Sequence, residues 1–208
     1  MIDYFIFVPI GYLIGSIPFG YVVVRFVLRK DVRQIGSGKT GMTNVIRAAG
    51  TKVGILVLLL DMAKSVVAIA LPIAFVDTPG ADVGAGLAAL IGHIWPLYIG
   101  FKGGSGVAPG WGGLFMLWWL PGLIGTAIGI PLVYLTRHVS VGSLVGATSG
   151  ALSIIVFAAL GYVPTEYMWY GIIGAPLIVL RHRGNISRLL RGEERKISGR
   201  TEQQTTKQ

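Results

Sequence analysis

The chain has 208 residues, 53% apolar and only 13% charged, with 31 glycines and no cysteine. A soluble domain carries about 25% charged residues, so a water-coated globule is excluded, and disulfide or thiolate chemistry with it. The formal net charge of +9 comes without aromatic-interleaved basic modules for nucleic acid, and suits an anionic membrane leaflet or anionic substrates.

Apolar runs of about 17–25 residues are long enough to cross a bilayer as helices. The first, 4–28, lacks a basic stretch ahead of its apolar run and is too long for a signal peptide, so it reads as a retained membrane helix. After it comes "RQIGSGKTGMTN" (33–44), which at first sight is a nucleotide-gripping loop. A Walker A loop ending at Gly38-Lys39-Thr40 needs its first glycine at position 33, where Arg33 stands, and no buried strand precedes it. No nucleotide partner is therefore expected. What remains is a turn of glycine N–H groups, hydroxyls and cations, a chemistry suited to anions.

The second apolar run, 53–76, carries Asp61 and Lys64 at i, i+3 on one helix face. Such charges are either functional or a mutually neutralising pair turned toward neighbouring helices. The third run, 82–100, ends in "GHIWPLYIGFKGGSGVAPGWGG" (92–113). Runs 106–120 and 121–136 are divided at Trp118, Trp119 and Pro121, an interface turn or a kink, and are followed by 141–162 and 166–181. Gly11, Gly15, Gly20, Gly146 and Gly150 are expected to serve close helix packing. The expected fold is an all-α integral membrane protein of about seven transmembrane helices. Residues 1–196 form a single polytopic domain, and 197–208 a polar, disordered cytoplasmic tail.

Lys and Arg gather after the first, third, fifth and seventh runs (Arg25 to Lys52, Lys102, Arg137, and Arg181 to Lys207). Asp3, Asp77, Asp82 and Glu166 mark the opposite ends. The basic side is cytoplasmic, which puts the N-terminus outside and the C-terminus inside.

Three unusual segments fall on that side: "GSGKTGMTNVIRAAG" (36–50), the turn around 92–113, and "RHRGNISRLLRGEERK" (181–196). Glycine lets backbone N–H groups approach an anion, Arg and Lys add charge, and Ser, Thr and Asn add neutral donors. On this ground Gly36, Gly38, Lys39, Thr43, Asn44, Lys102, Gly103, Gly104, Ser105 and Gly106 are candidate phosphate or substrate ligands. His93 either joins them or braces a helix. His182 and Asn185, three residues apart, share one helical face. Three scattered histidines and few carboxylates offer no metal site, and no cofactor is expected.

In order and spacing, "GSIPFGY" (15–21), "GSGKTGMTNVIRAAG", "LLDMAK" (59–64), "GHIWPLYIGFKGGSGVA" and "RHRGNISRLLRGEE" resemble the integral-membrane glycerol-3-phosphate acyltransferases that use acyl phosphate (the PlsY family). The resemblance covers nearly the whole chain. It implies a seven-helix bundle in the bacterial inner membrane with its site at the cytoplasmic surface. The implied reaction moves a fatty acyl group from acyl phosphate to the 1-hydroxyl of glycerol 3-phosphate, releasing lysophosphatidic acid and phosphate. Carried over residue by residue, Ser37, Arg47, Ser143, His182 and Asn185 are the implied catalytic set. Thr43 and the Gly36/Gly38 backbone handle phosphate, and His93 and Lys102 match positions of the second segment.

The family pattern has lysine where Ser105 stands, threonine at Pro109 and asparagine at Lys39. One cation is lost from the second turn and one gained in the first, so Lys39 is expected to hold the phosphate the missing lysine held. An acyl-enzyme is not expected, since there is no cysteine and no Ser in a nucleophile elbow. The histidines also lack the His-x₄-Asp spacing of soluble-donor acyltransferases. The alternatives are a small membrane transporter or channel for an anionic metabolite, against which no internal repeat is evident, and a catalytically weak binding paralogue.

Overall fold

The structure, a computed structural model, describes residues 2–197. Ten α-helices and no strand occur among them: α1 (Ile2–Gly15), α2 (Phe19–Leu28), α3 (Met42–Ala49), α4 (Thr51–Phe75), α5 (Pro79–Ile94), α6 (Val107–Leu117), α7 (Trp119–Thr136), α8 (Val139–Ala159), α9 (Met168–Arg181) and α10 (Arg183–Leu190). Residues 198–208, most of the expected tail, lie outside the described residues. Ile197, where that tail was to begin, donates its N–H to the Arg137 carbonyl at 2.7 Å.

Among the described residues, five stretches are long and apolar enough to cross a membrane: Ile2–Leu28, Thr51–Phe75, Pro79–Ile99, Trp119–Thr136 and Val139–Ala159. The first comprises α1 and α2, interrupted at Pro18, which has no N–H to continue the hydrogen-bond ladder. Two expected crossings are shorter than the sequence suggested. At 1.5 Å per residue, the 11 residues of α6 and 14 of α9 extend about 17 and about 21 Å, against about 30 Å of hydrocarbon.

The reason for the short α6 is local. Gly106 opens it in a left-handed conformation (φ 88°), and Trp118, extended at φ −161° and ψ 127°, closes it one residue before α7. Pro109, Gly110, Gly112, Gly113, Leu114 and Leu117 are all buried, so α6 lies inside the bundle and need not satisfy lipid along its length. Pro121 falls in the first turn of α7, where a missing N–H breaks no helical bond.

Small residues bring the helices together, as expected for Gly11, Gly15, Gly20, Gly146 and Gly150. A Cβ on Gly125 would stand 2.6 Å from the Gly146 carbonyl oxygen, and one on Gly129 2.8 Å from that of Gly142, so α7 and α8 touch backbone to backbone. Gly11 and Gly15 of α1 face Ala85 and Ala89 of α5, and Gly20 of α2 abuts the Thr40 carbonyl. Below that last contact, Val24, Val32, Val45 and Val57 form a buried cluster from α2, the following turn, α3 and α4. It fixes the first glycine-rich loop to the end of the bundle. At the opposite end, Tyr167 donates to Asp82 at 3.2 Å and Tyr4 packs on Gly80.

Candidate active site

The first loop is built around one side chain. Asn44, on α3 and 2% exposed, directs the two N–H bonds of Nδ2 to the carbonyls of Val32 (3.0 Å), Ile35 (2.9 Å) and Lys39 (2.9 Å), one N–H being shared between two of them, and its Oδ1 accepts the Ser37 N–H at 3.0 Å. Gly36 (φ 59°) and Gly38 (φ 71°) take left-handed conformations that let the chain circle this amide. Arg33 ties the loop outward. Its guanidinium holds Asp31 (2.7 Å), donates to the Ile99 carbonyl at 2.9 Å and stacks on Tyr21. The hydrogen bonds from Arg33 hold the Asp31 carboxyl below its ordinary pKa.

Lys39 then crosses to the last segment, where Nζ donates to the Arg181 carbonyl at 2.8 Å and to Asn185 Oδ1 at 3.2 Å. Burial lowers its pKa to about 8. The charges of Arg181 and Arg188 push the same way, and Glu194 opposes them. Asn185 Nδ2 in turn donates to Glu194 Oε1 at 2.7 Å; that oxygen also accepts Ser140 Oγ at 2.8 Å, and Arg188 Nε reaches Oε2 at 2.8 Å. Burial alone would raise the Glu194 pKa; the hydrogen bonds from Asn185, Ser140 and Arg188 lower it. Arg47 lies in the field of Arg195, Glu194 and Arg188, and desolvation is the leading cause of its lowered pKa.

The second turn joins through Arg181, whose Nε donates to the Gly104 carbonyl at 3.3 Å. Gly103 and Gly104 are buried against His93. Gly104 donates its N–H to the His93 carbonyl at 3.1 Å, and a Cβ on Gly104 would collide with His93 Nε2. His182 is 4% exposed. Its Nδ1 is 2.8 Å from the Ile178 carbonyl, which makes Nδ1 the donor and leaves Nε2 a lone pair. Burial pushes its pKa down to about 4.

Several sequence expectations are revised by this geometry. Asn44 spends both ends of its amide inside the loop, so it shapes the loop rather than facing a ligand. His93 is 5% exposed and enclosed by Asp61 and Gly104, which makes it a brace rather than a ligand. Ser140 is the α8 hydroxyl joined to Asn185 and Glu194; Ser143 is half-buried one turn further on. Ser37, Arg47 and Lys102 expose their side chains, while Thr43 and Ser105 are half-buried. Pro109 sits in the first turn of α6, so its missing N–H leaves no bond broken. The same hydrogen-bond network draws in Ser140, Arg181, Arg188 and Glu194, which composition and spacing alone do not single out. The readable signal for Glu194 was a lone acidic pair in "RGEERK", set among cations that need a counter-charge. Asp61 and Lys64 do form the mutual pair, at 2.9 Å.

A family model described as glycerol-3-phosphate acyltransferase matches residues 5–192. The glycerol-3-phosphate acyltransferase of Anaeromyxobacter sp. (strain K) is 49% identical over 198 residues, covering 91% of this chain and 95% of the relative. That of Shouchella clausii is 40% identical over 189 residues, covering 90% and 92%. Among solved structures, PlsY, an integral membrane glycerol 3-phosphate acyltransferase, superposes in its glycerol 3-phosphate form with a TM-score of 0.86 at 34% identity, covering 94% of this chain and 96% of that one. Its lysophosphatidic acid form gives 0.81 at 33% identity, covering 94% and 95%.

Proposed function

The chain belongs to the glycerol-3-phosphate acyltransferase family, and we propose that its reaction runs at the junction of the two glycine-rich turns with α8, α9 and α10. The protein is an integral membrane acyltransferase that acylates glycerol 3-phosphate to lysophosphatidic acid, with acyl phosphate as donor. The glycerol 1-hydroxyl oxygen attacks the acyl carbonyl carbon, the bond from that carbon to the phosphate oxygen breaks, and inorganic phosphate leaves.

The observation that carries this assignment is Lys39. Its ammonium is held between the Arg181 carbonyl and Asn185, with Arg188 nearby, where it can meet a phosphate. Phosphate is already a good leaving group, so orientation and charge stabilisation suffice and no acyl-enzyme is needed. Ser37 and Arg47 supply further donors from the exposed edge of the first loop. Asn185 presents Lys39, and the 103–106 turn supplies backbone N–H groups other than that of Gly104, which the His93 carbonyl holds. The clustering of basic loops at this end, with Asp82 and Tyr167 at the other, supports a cytoplasmic site.

With a pKa of about 4, His182 is a weak base at neutral pH, and a substrate phosphate oxygen is the better proton sink. His182→Gln is therefore expected to lower kcat by about tenfold, the worth of one hydrogen bond, without abolishing turnover. Purified protein given acyl phosphate and glycerol 3-phosphate, with acyl-CoA tried in parallel, should release phosphate and lysophosphatidic acid. Ser37→Ala and Asn185→Ala should lose both products. No product at any acyl chain length would overturn the reading.

Lys39 gives the reaction a pH limb. The free amine cannot attract phosphate as the ammonium does, so kcat/KM, which reports the unliganded enzyme, should fall as pH rises through about 8. Lys39→Arg should remove that limb. A limb persisting in Lys39→Arg would show that another group titrates.

A further inference from the structure

A second polar cluster lies inside the bundle, behind the second glycine-rich turn. Lys64 Nζ is 2.9 Å from Asp61 Oδ1 and donates to the Ile17 carbonyl, at the α1–α2 break, at 3.0 Å. His93 Nδ1 is 3.4 Å from the same Asp61 oxygen. The cluster is closed from solvent, with Asp61 1%, Lys64 3% and His93 5% exposed. Asp61 Oδ2, Ser65 Oγ and Ser16 Oγ are buried with no hydrogen-bond partner among the described residues. Ser65 follows Asp61 by one helical turn. Ser16 lies against α5 beside His93, since a Cβ on Gly92 would come within 2.8 Å of the Ser16 nitrogen.

Stability does not account for this arrangement. Well-packed apolar residues usually serve a helix interior as well as a buried ion pair does, and each unpartnered oxygen adds a desolvation cost. A carboxylate beside an imidazole also suggests a general-base dyad, assembled in space from residues 32 positions apart. The far side of the ring excludes that role: Nε2 is pressed on Gly104, where even a Cβ collides, so no substrate hydroxyl reaches it.

What the cluster does reach is the second glycine-rich turn. The His93 carbonyl accepts the Gly104 N–H, its ring backs the Gly104 Cα, and Arg181 holds the Gly104 carbonyl from the other side. We propose that Asp61, acting through His93, is a positioning residue that fixes the 103–106 turn in its substrate-binding conformation, with Lys64 anchoring Asp61 to the α1–α2 break. The inference rests on the assignment of that turn to substrate binding.

The test is a double-mutant cycle on purified enzyme, with kcat and both KM values measured beside the thermal unfolding midpoint. Gly104→Ala should lower kcat/KM by about 100-fold and His93→Ala by about tenfold. Removing the ring makes room for the new Cβ, so the double variant should be no worse than Gly104→Ala. His93→Asn keeps a donor toward Asp61 and removes only the edge behind Gly104. It should raise the KM of at least one substrate about tenfold while unfolding near the wild-type midpoint. Multiplying losses in the cycle, or wild-type kinetics in His93→Asn, would overturn the positioning role. A folded Gly104→Ala with wild-type kinetics would remove the substrate-binding role of the turn, and this inference with it.

Discussion

Asn44→Ala is expected to abolish measurable acyl transfer and to lower the thermal midpoint by several degrees. Two donated bonds, one of them shared between two carbonyls, and one accepted bond hold Val32, Ile35, Ser37 and Lys39 in one loop. Each is worth about 1 kcal/mol net, and the carbonyls left behind add a desolvation cost, so a loss of about 3–5 kcal/mol follows. Lys39 leaves its position when the loop opens, and the proposed phosphate site goes with it. Asn44→Asp sharpens the expectation. It preserves the shape but aims a carboxylate at three carbonyl oxygens, and should be at least as damaging as alanine. If Asn44→Ala unfolded normally and only raised a KM, the amide would be a substrate ligand after all.

Glu194→Ala is expected to cost at least about 100-fold in kcat/KM, because one carboxylate holds Ser140, Asn185 and Arg188 together. Its removal takes about 1.5–3 kcal/mol per charged hydrogen bond and leaves Lys39, Arg47 and Arg188 without their shared counter-charge. Glu194→Gln keeps an acceptor for Ser140 and should retain more activity. The pH dependence has a definite sign. The folded pKa lies below the ordinary value, so the carboxylate's contribution is complete above the ordinary carboxylate range and is lost as pH falls through the depressed folded value. Acid inactivation that proceeds identically in Glu194→Gln would assign that loss to another group.

The bundle was legible because its signals are local. Apolar runs, glycines at helix spacing and one-sided basic loops each report on their own neighbourhood. The short α6 was harder, since the extended residue at Trp118 answers to packing inside the bundle rather than to composition. The site divides along the same line. Three segments rich in glycine and cations could be named from the sequence, but not which atoms are already spent. Asn44 and Ser37 look alike as polar loop residues until the path of the loop shows one turned inward. Ser140 and Ser143 differ only by helix phase at the start of α8. A search for histidine and aspartate at fixed spacing could not pair Asp61 with His93, which meet through the packing of α4 on α5.

The contact between Lys39 and Asn185 spans 146 positions of chain. During synthesis at about 5–20 residues per second, the first loop waits roughly 7–30 seconds for the partner that completes its proposed phosphate site. Helices α3 to α9 are made in that interval while Lys39 has no Asn185 to meet. A nascent enzyme is therefore expected to stay silent until Asn185 and Glu194 have left the ribosome, and a message cut short before Glu194 should yield a membrane protein with all its long apolar helices and an activity at least as low as that of Glu194→Ala.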